Sequence, residues 1–380
     1  MSKLESALAE MVRIDSTNPG LAGGPDEAAF AADLAARMER LGMEIDLWEV
    51  LPGRPNVVGR LRGRGGGRSL MFLGHLDVVG PWGPDAFEPR IRDGRVYGRG
   101  AADMKCGFAA TLAAVESLIE SGERLAGDLL IAGVIDEEWE SAGAEALTPR
   151  WRADASVLVE CTDLDVVSEH GGFAWYEVES RGAEAAGADP EQGVDGIALL
   201  APVLAGITAL DTRLASRAPA GYGRGSIHAS TIAGGDQLPV YPARCVLGVE
   251  RCLIADETVG QAQAEMESVL AAAGAADVRF KGALRTLVAR EPLAQSADEP
   301  VVAAVVAAAS RELGRAPIVR GDIAWGDSGL LVEAGIPCVT FGPIGHGEHT
   351  ADEWVDLASV ATTAAVLEAT AREFCGEVRP

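Results

Sequence analysis

The distribution of apolar and polar positions along the chain is typical of an α/β protein. Residues 70–79 form a nearly continuous apolar run that predicts a buried strand, and residues 129–135 form a second one. Between them, residues 108–120 carry apolar side chains at helical spacing and predict a helix. A further apolar run at residues 155–159 predicts another strand. This order indicates an open sheet, and such sheets carry functional groups at the carboxyl ends of their strands.

The pattern changes near Ser168, where half-exposed strands replace the continuous apolar runs. Strands and helices alternate here at residues 173–180, 194–210, 245–252 and 256–273. The first of these helices is predicted to be interrupted by Pro202. Two strand–helix pairs predict an inserted α+β domain, of ferredoxin-like type, at residues 169–285. We therefore expect a larger domain in two parts, residues 1–168 and residues 286–380.

After Glu291 the α/β pattern resumes. Residues 300–313 are predicted to form a helix, and the apolar residues 338–341 are predicted to form a strand. This strand leads into a glycine-rich loop that contains His349. The sequence as a whole therefore predicts an α/β fold interrupted by one α+β insertion.

Polar side chains that bind metal ions or transfer protons follow several of the predicted strands. They are His75, Asp77, Asp103, Asp136, Glu137, Glu138, Glu160 and His349. In a strand, residues i and i+2 point to the same side, so His75 and Asp77 are predicted to lie together. The carboxylate is then well placed to orient the imidazole. For this pair taken alone, a strand that ends in a polar turn is the alternative.

Some of these acidic positions also have an ordinary structural explanation. Asp103 precedes the predicted helix at residues 108–120 and is well placed to cap it. The three adjacent carboxylates at residues 136–138 repel one another, which a cation or a raised pKa would relieve. A solvated acidic turn is the alternative. Carboxylates together with imidazole suit zinc, cobalt or manganese, and a shared carboxylate suits two ions about 3.5 Å apart.

Composition excludes several classes of function. The 380 residues include 57 acidic and 32 basic ones, and the net charge of −25 disfavours binding to nucleic acid or an anionic membrane. No apolar run approaches the ~20 residues of a transmembrane helix, and the first residues do not resemble a signal peptide. The six cysteines include no Cys-x-x-Cys pair. We therefore expect reduced thiols, no thiolate zinc site and a cytoplasmic location.

Four motifs carry the strongest functional signal. They are Gly74-His75-Leu76-Asp77-Val78-Val79, Gly98-Arg99-Gly100-Ala101-Ala102-Asp103-Met104-Lys105, Asp136-Glu137-Glu138 with Gly143-Ala144, and His349-Thr350 with Glu353. Together they resemble the acetylornithine deacetylase / succinyl-diaminopimelate desuccinylase / glutamate carboxypeptidase family of di-metal aminoacylases and exopeptidases. The resemblance implies a di-zinc exopeptidase-like domain with a mixed, mostly parallel sheet. It also implies that the insertion is a lid that carries a homodimer interface.

The resemblance assigns a metal-binding role to five residues. One divalent ion would be held by His75 and Glu160. The second would be held by Glu138 and His349, and Asp103 would bridge the two. Five ligands from five segments are more than one tetrahedral zinc needs, which favours two ions. Zinc is the metal that the resemblance favours, with cobalt and manganese as alternatives.

The same resemblance gives roles in catalysis and substrate binding to three more residues. Asp77 would orient His75, and Glu137 would be the general base. A glutamate beside a metal-activated water can take its proton and later deliver it to the leaving amine. Arg251 is a candidate for binding a substrate carboxylate. An ion pair between Arg251 and one of the 57 acidic residues explains this arginine equally well.

The chain departs from the family pattern in three places, one of which is the segment Glu250-Arg251-Cys252-Leu253, where one expected basic residue is missing. Ala186 stands where the family places a histidine that reaches the scissile carbonyl, and Cys161 stands where a proline is usual. The leading interpretation is a hydrolase that cleaves an amide bond of a small N-acyl amino acid or dipeptide-like substrate. One alternative is hydrolysis of a non-peptide C–N bond, which needs no lid histidine. The other is a metal-binding homologue that has lost catalysis.

Overall fold

The computed structural model describes residues 2–217, 223–296 and 298–376, and the chain divides into two compact units. The larger unit comprises Met1–Ser168, Gln295–Arg320 and Gly326–Pro380. The inserted unit comprises Glu169–Ala294 and Gly321–Trp325. Among the described residues, the larger unit has a main sheet and a smaller four-stranded sheet, and the inserted unit has one four-stranded sheet. Each unit has its own hydrophobic core.

Strands and helices are numbered here in chain order. The strands are β1 (Glu44–Leu51), β2 (Arg54–Leu61), β3 (Leu70–His75), β4 (Arg90–Arg92), β5 (Arg95–Tyr97), β6 (Leu129–Val134), β7 (Ala155–Leu158), β8 (Val166–His170), β9 (Gly172–Arg181), β10 (Ser226–Gly234), β11 (Arg244–Leu253), β12 (Gly282–Arg290), β13 (Leu293–Ala294), β14 (Val319–Asp322), β15 (Cys338–Phe341), β16 (Gly345–His346) and β17 (Trp354–Asp356). The helices are α1 (Lys3–Val12), α2 (Pro19–Ala22), α3 (Ala28–Arg40), α4 (Lys105–Glu120), α5 (Ala142–Leu147), α6 (Ala201–Ala215), α7 (Val259–Ala276), α8 (Pro300–Leu313), α9 (Ser328–Glu333) and α10 (Leu357–Gly376).

The main sheet of the larger unit has a parallel centre and antiparallel edges. Strand β3 pairs in parallel with β6 and β7, and β15 pairs in parallel with β7. Strands β2 and β1 extend the sheet antiparallel beyond β6, and β8 is antiparallel to β15. Every residue of β3, β6, β7 and β15 is buried, as continuous apolar runs predict for strands covered on both faces. The predicted α/β class is therefore confirmed.

Hydrophobic clusters cover both faces of this sheet. Leu70 and Phe72 of β3 belong to the cluster that includes residues of α1, α3, α4, α8 and α10. Met71 and Leu73 belong to the opposite cluster, which includes residues of α5. Successive side chains of a strand point to opposite faces, so this one strand is packed into both clusters. Each fully buried side chain of this size contributes about 1.5–3 kcal/mol, which makes β3 a rigid support for the residue that ends it.

Two element boundaries illustrate how local sequence sets the structure. Helix α8 has the predicted bounds because Pro300 lies in its first turn and Gly314 ends it in the left-handed region, at φ +65°. Strand β3 is shorter than the predicted run of residues 70–79 and ends at His75. Beyond it, the Val78 backbone N–H donates to Ser16 O instead of continuing the ladder with β7.

The inserted unit has the order β9–α6–β10–β11–α7–β12, and its antiparallel sheet has the spatial order β10-β11-β9-β12. This is the ferredoxin-like arrangement. Buried side chains of β9 and β11, such as Tyr176 and Leu247, form one core with Val203 of α6 and Met266 of α7. The sequence analysis did not identify β10 and β12. Both are edge strands whose side chains are mostly exposed, so they lack a regular apolar alternation.

The C-terminal limit of the inserted unit lies beyond the expected residue 285. Strand β12 continues to Arg290 and pairs with β9 along its length, and the unit ends at Ala294. A cut at residue 285 would divide a strand of this sheet. Residues 321–325 also belong to the inserted unit, although they follow it by more than 25 positions in the chain.

Helix α6 differs from the sequence prediction in its bounds, Ala201–Ala215 against residues 194–210, and at Pro202. Pro202 does not interrupt it but lies in its first turn, where a missing backbone N–H costs nothing. Residues Ala198–Ala215 are long and apolar enough to cross a membrane by length and composition alone. The buried residues Val203, Ile207 and Leu210 of this helix pack into the core of the inserted unit. A core helix of this kind passes the same test.

Candidate metal centre

Five side chains with metal-binding atoms converge at the carboxyl ends of the parallel strands. His75 ends β3, Glu138 follows β6 and Glu160 follows β7. Asp103 precedes α4, and His349 lies in the loop between β16 and β17. Ligand atoms of His75, Asp103 and Glu138 all lie within 4.8 Å of one another. The strand order of the sheet thus brings together residues from five separate parts of the chain.

The Asp103 carboxylate lies between two imidazoles. Its Oδ1 is 3.0 Å from His75 Nε2, and its Oδ2 is 3.1 Å from His349 Nε2. Glu160 Oε1 lies 3.3 Å from His75 Nε2. Glu138 Oε2 lies 3.0 Å from His349 Nε2. The five residues therefore form two histidine–carboxylate sets, and Asp103 belongs to both.

The two glutamates of these sets have raised pKa values. Burial, followed by repulsion from Asp103, raises the pKa of Glu138 to about 7, despite the hydrogen bond from His349. Burial also raises the pKa of Glu160 to about 7, although the neighbouring His75 opposes the shift. Buried carboxylates this close together need positive charge to remain ionised. Protons supply that charge here, and a divalent cation would supply it more completely.

For the two histidines and Asp103, the surroundings favour the charged forms. Hydrogen bonds to Asp103 and Glu138 raise the pKa of His349 to about 11. Burial disfavours charge on His75, but Glu160 and Asp103 outweigh it and raise the pKa of that imidazole well above its usual value. Burial likewise opposes ionisation of Asp103, yet the two histidines lower its pKa. The protonated imidazoles thus supply positive charge that a bound metal ion would otherwise supply.

The donor set fits divalent metal ions of the zinc, cobalt and manganese type. It consists of imidazole nitrogens and carboxylate oxygens, which these ions accept together. Within the described part of the chain, Glu138 Oε1 is buried and has no hydrogen-bond partner. A buried carboxylate oxygen without a partner is costly, and coordination would satisfy it.

Asp77 supports this site in a way that differs in detail from the sequence prediction. His75 Nδ1 lies 3.0 Å from the backbone oxygen of Asp77 and 3.6 Å from its Oδ1, so the carbonyl is the nearer partner. The carboxylate instead accepts the backbone N–H groups of Glu137 and Glu138, each at 3.1 Å. Asp77 therefore holds both His75 and the 137–138 backbone in place.

A network that the sequence analysis missed holds Asp77. Asn18 Nδ2 donates to Asp77 Oδ2 at 2.8 Å and to Asp136 Oδ1 at 3.1 Å. Arg54 donates to the same Asp136 oxygen at 2.8 Å and binds Glu27 through two of its nitrogens. In the sequence Asn18 has the pattern of a turn residue, and its Oδ1 does cap α2. Nothing local indicates its second role.

Glu137 lies beside the metal-binding residues. Burial raises its pKa well above the usual value, and the nearby carboxylates of Asp327, Glu138 and Glu160 raise it further, against the attraction of His75. Asp327, which is 1% exposed, was not identified from the sequence because a single aspartate before a short helix resembles a cap.

Two sequence-predicted residues lie outside this cluster, in the inserted unit. Arg251 is only 1% exposed, and its guanidinium binds Glu257 at 2.8 Å and Glu265 at 3.1 Å. Its charge is thus paired with two acidic side chains, as in the ion-pair explanation that the sequence left open, and binding of a substrate carboxylate stays a prediction. Ala186 is exposed and forms an isolated bridge with Val240.

A mixed α/β sheet with two histidine–carboxylate sets at its strand ends defines a metal-dependent hydrolase. The chain belongs to peptidase family M20/M25/M40, whose model matches residues 71–373. This membership confirms the family resemblance of the four motifs. The chain is accordingly a hydrolase that uses metal to cleave an amide C–N bond of a small N-acyl amino acid or dipeptide-like substrate.

The chain is similar along most of its length to enzymes that remove acyl groups. It is 29% identical over 357 residues to a Bacillus subtilis N-formyl-4-amino-5-aminomethyl-2-methylpyrimidine deformylase, covering 85% of this chain and 84% of that protein. It is 30% identical over 358 residues to succinyl-diaminopimelate desuccinylase of Gluconacetobacter diazotrophicus, covering 88% and 89%. A crystal structure of a Bacillus subtilis protein, described as a dinuclear metal-binding peptidase of the M20 family, shares its fold with a TM-score of 0.70, 16% identity and coverage of 98% of each chain.

Proposed function

We propose that this protein is a two-metal deacylase that removes a small acyl group from an amine. The observation that carries the proposal is the Asp103 carboxylate, which directs one oxygen to each of two histidines. Each histidine has its own glutamate, Glu160 for His75 and Glu138 for His349. With two ions that share Asp103, each histidine and its glutamate would bind one ion. The metal-binding peptidase of similar fold described above is also dinuclear.

Zinc is the first choice among the metals, and cobalt and manganese are the alternatives. Imidazole and carboxylate ligands suit all three, so the donor set alone does not separate them. Bound divalent ions would polarise the amide carbonyl and lower the pKa of the attacking water. The residues around them must then hold the geometry and move one proton.

Glu137 is the residue to which we assign proton transfer. Its carboxylate lies beside the ligands, and burial raises its pKa well above the usual range, so it can hold a proton between two steps. It would take a proton from the attacking water and deliver it to the leaving amine. The Asp77 carboxylate accepts the Glu137 backbone N–H at 3.1 Å and so fixes the position of the backbone that carries the Glu137 side chain.

The acyl group is the less determined part of the substrate. One relative is a desuccinylase acting on an amino acid, and the other is a deformylase acting on an aminomethylpyrimidine. The second relative favours the alternative in which the leaving amine is not part of an amino acid. A homologue without activity would have no use for the buried base Glu137.

The experiment is an amine-release assay of the metal-loaded protein against N-formyl, N-acetyl and N-succinyl derivatives of amino acids and of aminomethylpyrimidine. We expect turnover on at least one derivative and close to two equivalents of metal per chain. The Glu137→Ala variant serves as the negative control for contaminating hydrolases. A stoichiometry of one ion, unchanged by Glu138→Ala, would contradict the shared-carboxylate arrangement.

We also propose that the protein is a homodimer of the cytoplasm. Strand β10 is an edge of the inserted sheet, most of its residues are exposed, and Ile232 is 55% exposed. An edge strand offers unpaired backbone groups to a second strand. All six cysteines are unpaired, which suits a reducing compartment. Light scattering should give twice the chain mass, and Ile232→Lys should reduce it toward that of one chain.

A further inference from the structure

The carboxylate of Glu353 collects hydrogen bonds from the loop that carries Asp103. Its Oε2 accepts the backbone N–H of Gly100 at 3.0 Å, and its Oε1 accepts those of Ala102 at 2.9 Å and Asp103 at 3.1 Å. The guanidinium of Arg99 donates to the same carboxylate. One side chain thus binds three backbone groups and one charged side chain of a single loop.

The same residues join this loop to the one that carries His349. Arg99 Nη2 donates to the backbone oxygen of Thr350 at 3.0 Å, next to His349. The backbone N–H of Gly98 donates to Glu353 O at 3.2 Å. Strands β5 and β17, which precede and follow these loops, also pair with each other. Glu353 and Arg99 therefore connect the backbones on which two metal-binding side chains are mounted.

Burial makes these contacts strong. Glu353 is 2% exposed and Arg99 is 4% exposed. Hydrogen bonds to an ionised group are strong and are weakly screened away from water. Residues 98–104 belong to no strand or helix, so their backbone N–H groups depend on other acceptors. Removing the carboxylate would leave several buried N–H groups unpaired, and the loop would have to move to satisfy them.

We propose that Glu353, with Arg99, is a positioning residue that fixes Asp103 relative to His349 and so sets the affinity of the metal centre. It acts through the backbone of Asp103 and not as a ligand. The proposal rests on the proposed function, because it assumes that Asp103 and His349 bind metal. Residues that hold metal ligands commonly affect metal affinity or activity 10–100-fold when they are changed.

The test is the equilibrium affinity of the metal-free protein for Mn²⁺ and Zn²⁺, measured by competition with a chelator. In Glu353→Gln, an NH₂ group replaces one carboxylate oxygen and faces other donors, so the loop cannot keep its position. We expect at least tenfold weaker binding of one ion. The metal concentration that gives half-maximal activity should rise by the same factor, and saturating metal should restore most of kcat. The Glu353→Asp variant keeps the charge, and its affinity for metal should lie between those of the unchanged protein and Glu353→Gln.

Glu257→Gln is the matched control, because it removes a buried acceptor of similar kind from the inserted unit. Glu257 is 4% exposed and accepts from Arg251 at 2.8 Å and from the Ile254 backbone at 3.1 Å. Both glutamine variants should lower Tm. Only Glu353→Gln should weaken metal binding, whereas Glu257→Gln should bind metal within twofold of the unchanged protein.

The outcomes separate this inference from the proposed function. Two ions bound equally tightly by the unchanged protein and Glu353→Gln would overturn the positioning role alone. An unchanged protein that binds no divalent ion would overturn the proposed function and this inference with it. If Glu353→Gln does not fold, Glu353→Asp decides: weaker metal binding supports the role, and unchanged binding overturns it.

Discussion

Two clusters of buried charge differ in how that charge is balanced. In the inserted unit, the buried guanidinium of Arg251 is paired with Glu257 and Glu265, and these partners raise its pKa against the effect of burial. Arg217 lies 3.5 Å from Glu257 and supplies the second positive charge. In the larger unit, the buried carboxylates outnumber the two imidazoles, and the pKa values of Glu138 and Glu160 rise to about 7. In the first cluster, the positive and negative charges balance without a ligand. In the second, negative charge stays in excess until further positive charge is added.

This difference separates a structural ion pair from a functional site. A buried pair whose donors and acceptors match gives little reason to infer a ligand, because both charges are already satisfied. A buried excess of one charge costs free energy on folding, and a protein that keeps it has a use for it. The comparison therefore predicts that changes in the first cluster alter stability alone, whereas changes in the second alter metal content and activity.

The largest effect is expected for Asp103→Ala. This change removes the carboxylate that both histidines contact, at 3.0 and 3.1 Å, so both ions should be lost together with all measurable turnover. Metal analysis after gel filtration should give well below one equivalent. Asp211→Ala, which removes an exposed partner of Arg224 in the inserted unit, should retain the metal content of the unchanged protein. Equal metal contents in the two variants would contradict the bridging role.

Glu137→Ala should separate metal binding from catalysis. The side chain is not among the proposed ligands, so metal content should stay unchanged, while kcat should fall by about 10²–10⁴-fold through loss of proton transfer. Metal analysis and amine release measured on the same preparation check both parts. A variant that loses metal in proportion to its activity would make Glu137 a ligand and not a base.

The proposed ligands could be predicted from the sequence because most of them follow strands and lie in recognisable motifs. Their supports could not. Asn18 reaches Asp77 across 59 positions, and Glu353 reaches the Asp103 backbone across 250, by contacts that leave no local pattern. For Arg251 the sequence left two explanations open, because an alternating strand shows which residues share a face but not whether an arginine there already has acidic partners. The exposed edge strands β10 and β12 were missed because their pairing depends on β9 and β11, not on their own apolar pattern.

Arg251→Met should test the balanced cluster. Removing the guanidinium takes its charge from Glu265 and leaves Glu257 only the more distant Arg217, at 3.5 Å. Breaking a buried pair in this way costs about 3–5 kcal/mol. The free energy of unfolding should fall by that amount, measured by urea denaturation, with metal content unchanged. Arg181→Met, which removes an exposed ion pair with Glu179, should cost less than about 1 kcal/mol. A raised KM for substrate without loss of stability would favour the substrate-binding explanation of Arg251 instead.

Metal should stabilise the protein more as the pH rises. Without metal, the pKa values of Glu138 and Glu160 are about 7 in the folded chain, above their ordinary value of 4.5. The folded state therefore binds these protons more tightly, and the stability that they contribute is lost as pH rises through about 7. Metal displaces the protons, so the metal-induced increase in Tm should be larger near pH 7.5 than near pH 5.5. An equal increase at both values would show that metal binding displaces no protons in this range.

The smallest effect is expected for Ala186→His. If the segment that contains Ala186 acts as the family resemblance implies, a new imidazole would donate a hydrogen bond to the scissile carbonyl. Such a donor is worth up to about 10²–10³-fold in kcat when fully aligned, and we expect about tenfold here because the surrounding residues are not adapted to it. The gain should appear on N-acetyl amino acids. On the best substrate of the acyl panel, activity should fall if that substrate already occupies the space.

Ala188→His is the control for this last change, since Ala188 is also exposed and lies two residues away. An equal effect of both variants would mean that added imidazole changes the protein in general and not at a defined position. No effect of Ala186→His on either substrate would mean that this segment does not approach the metal centre during turnover. In that case the larger unit alone would stabilise the scissile carbonyl. All the catalytic residues would then belong to the candidate metal centre, the cluster with an excess of negative charge.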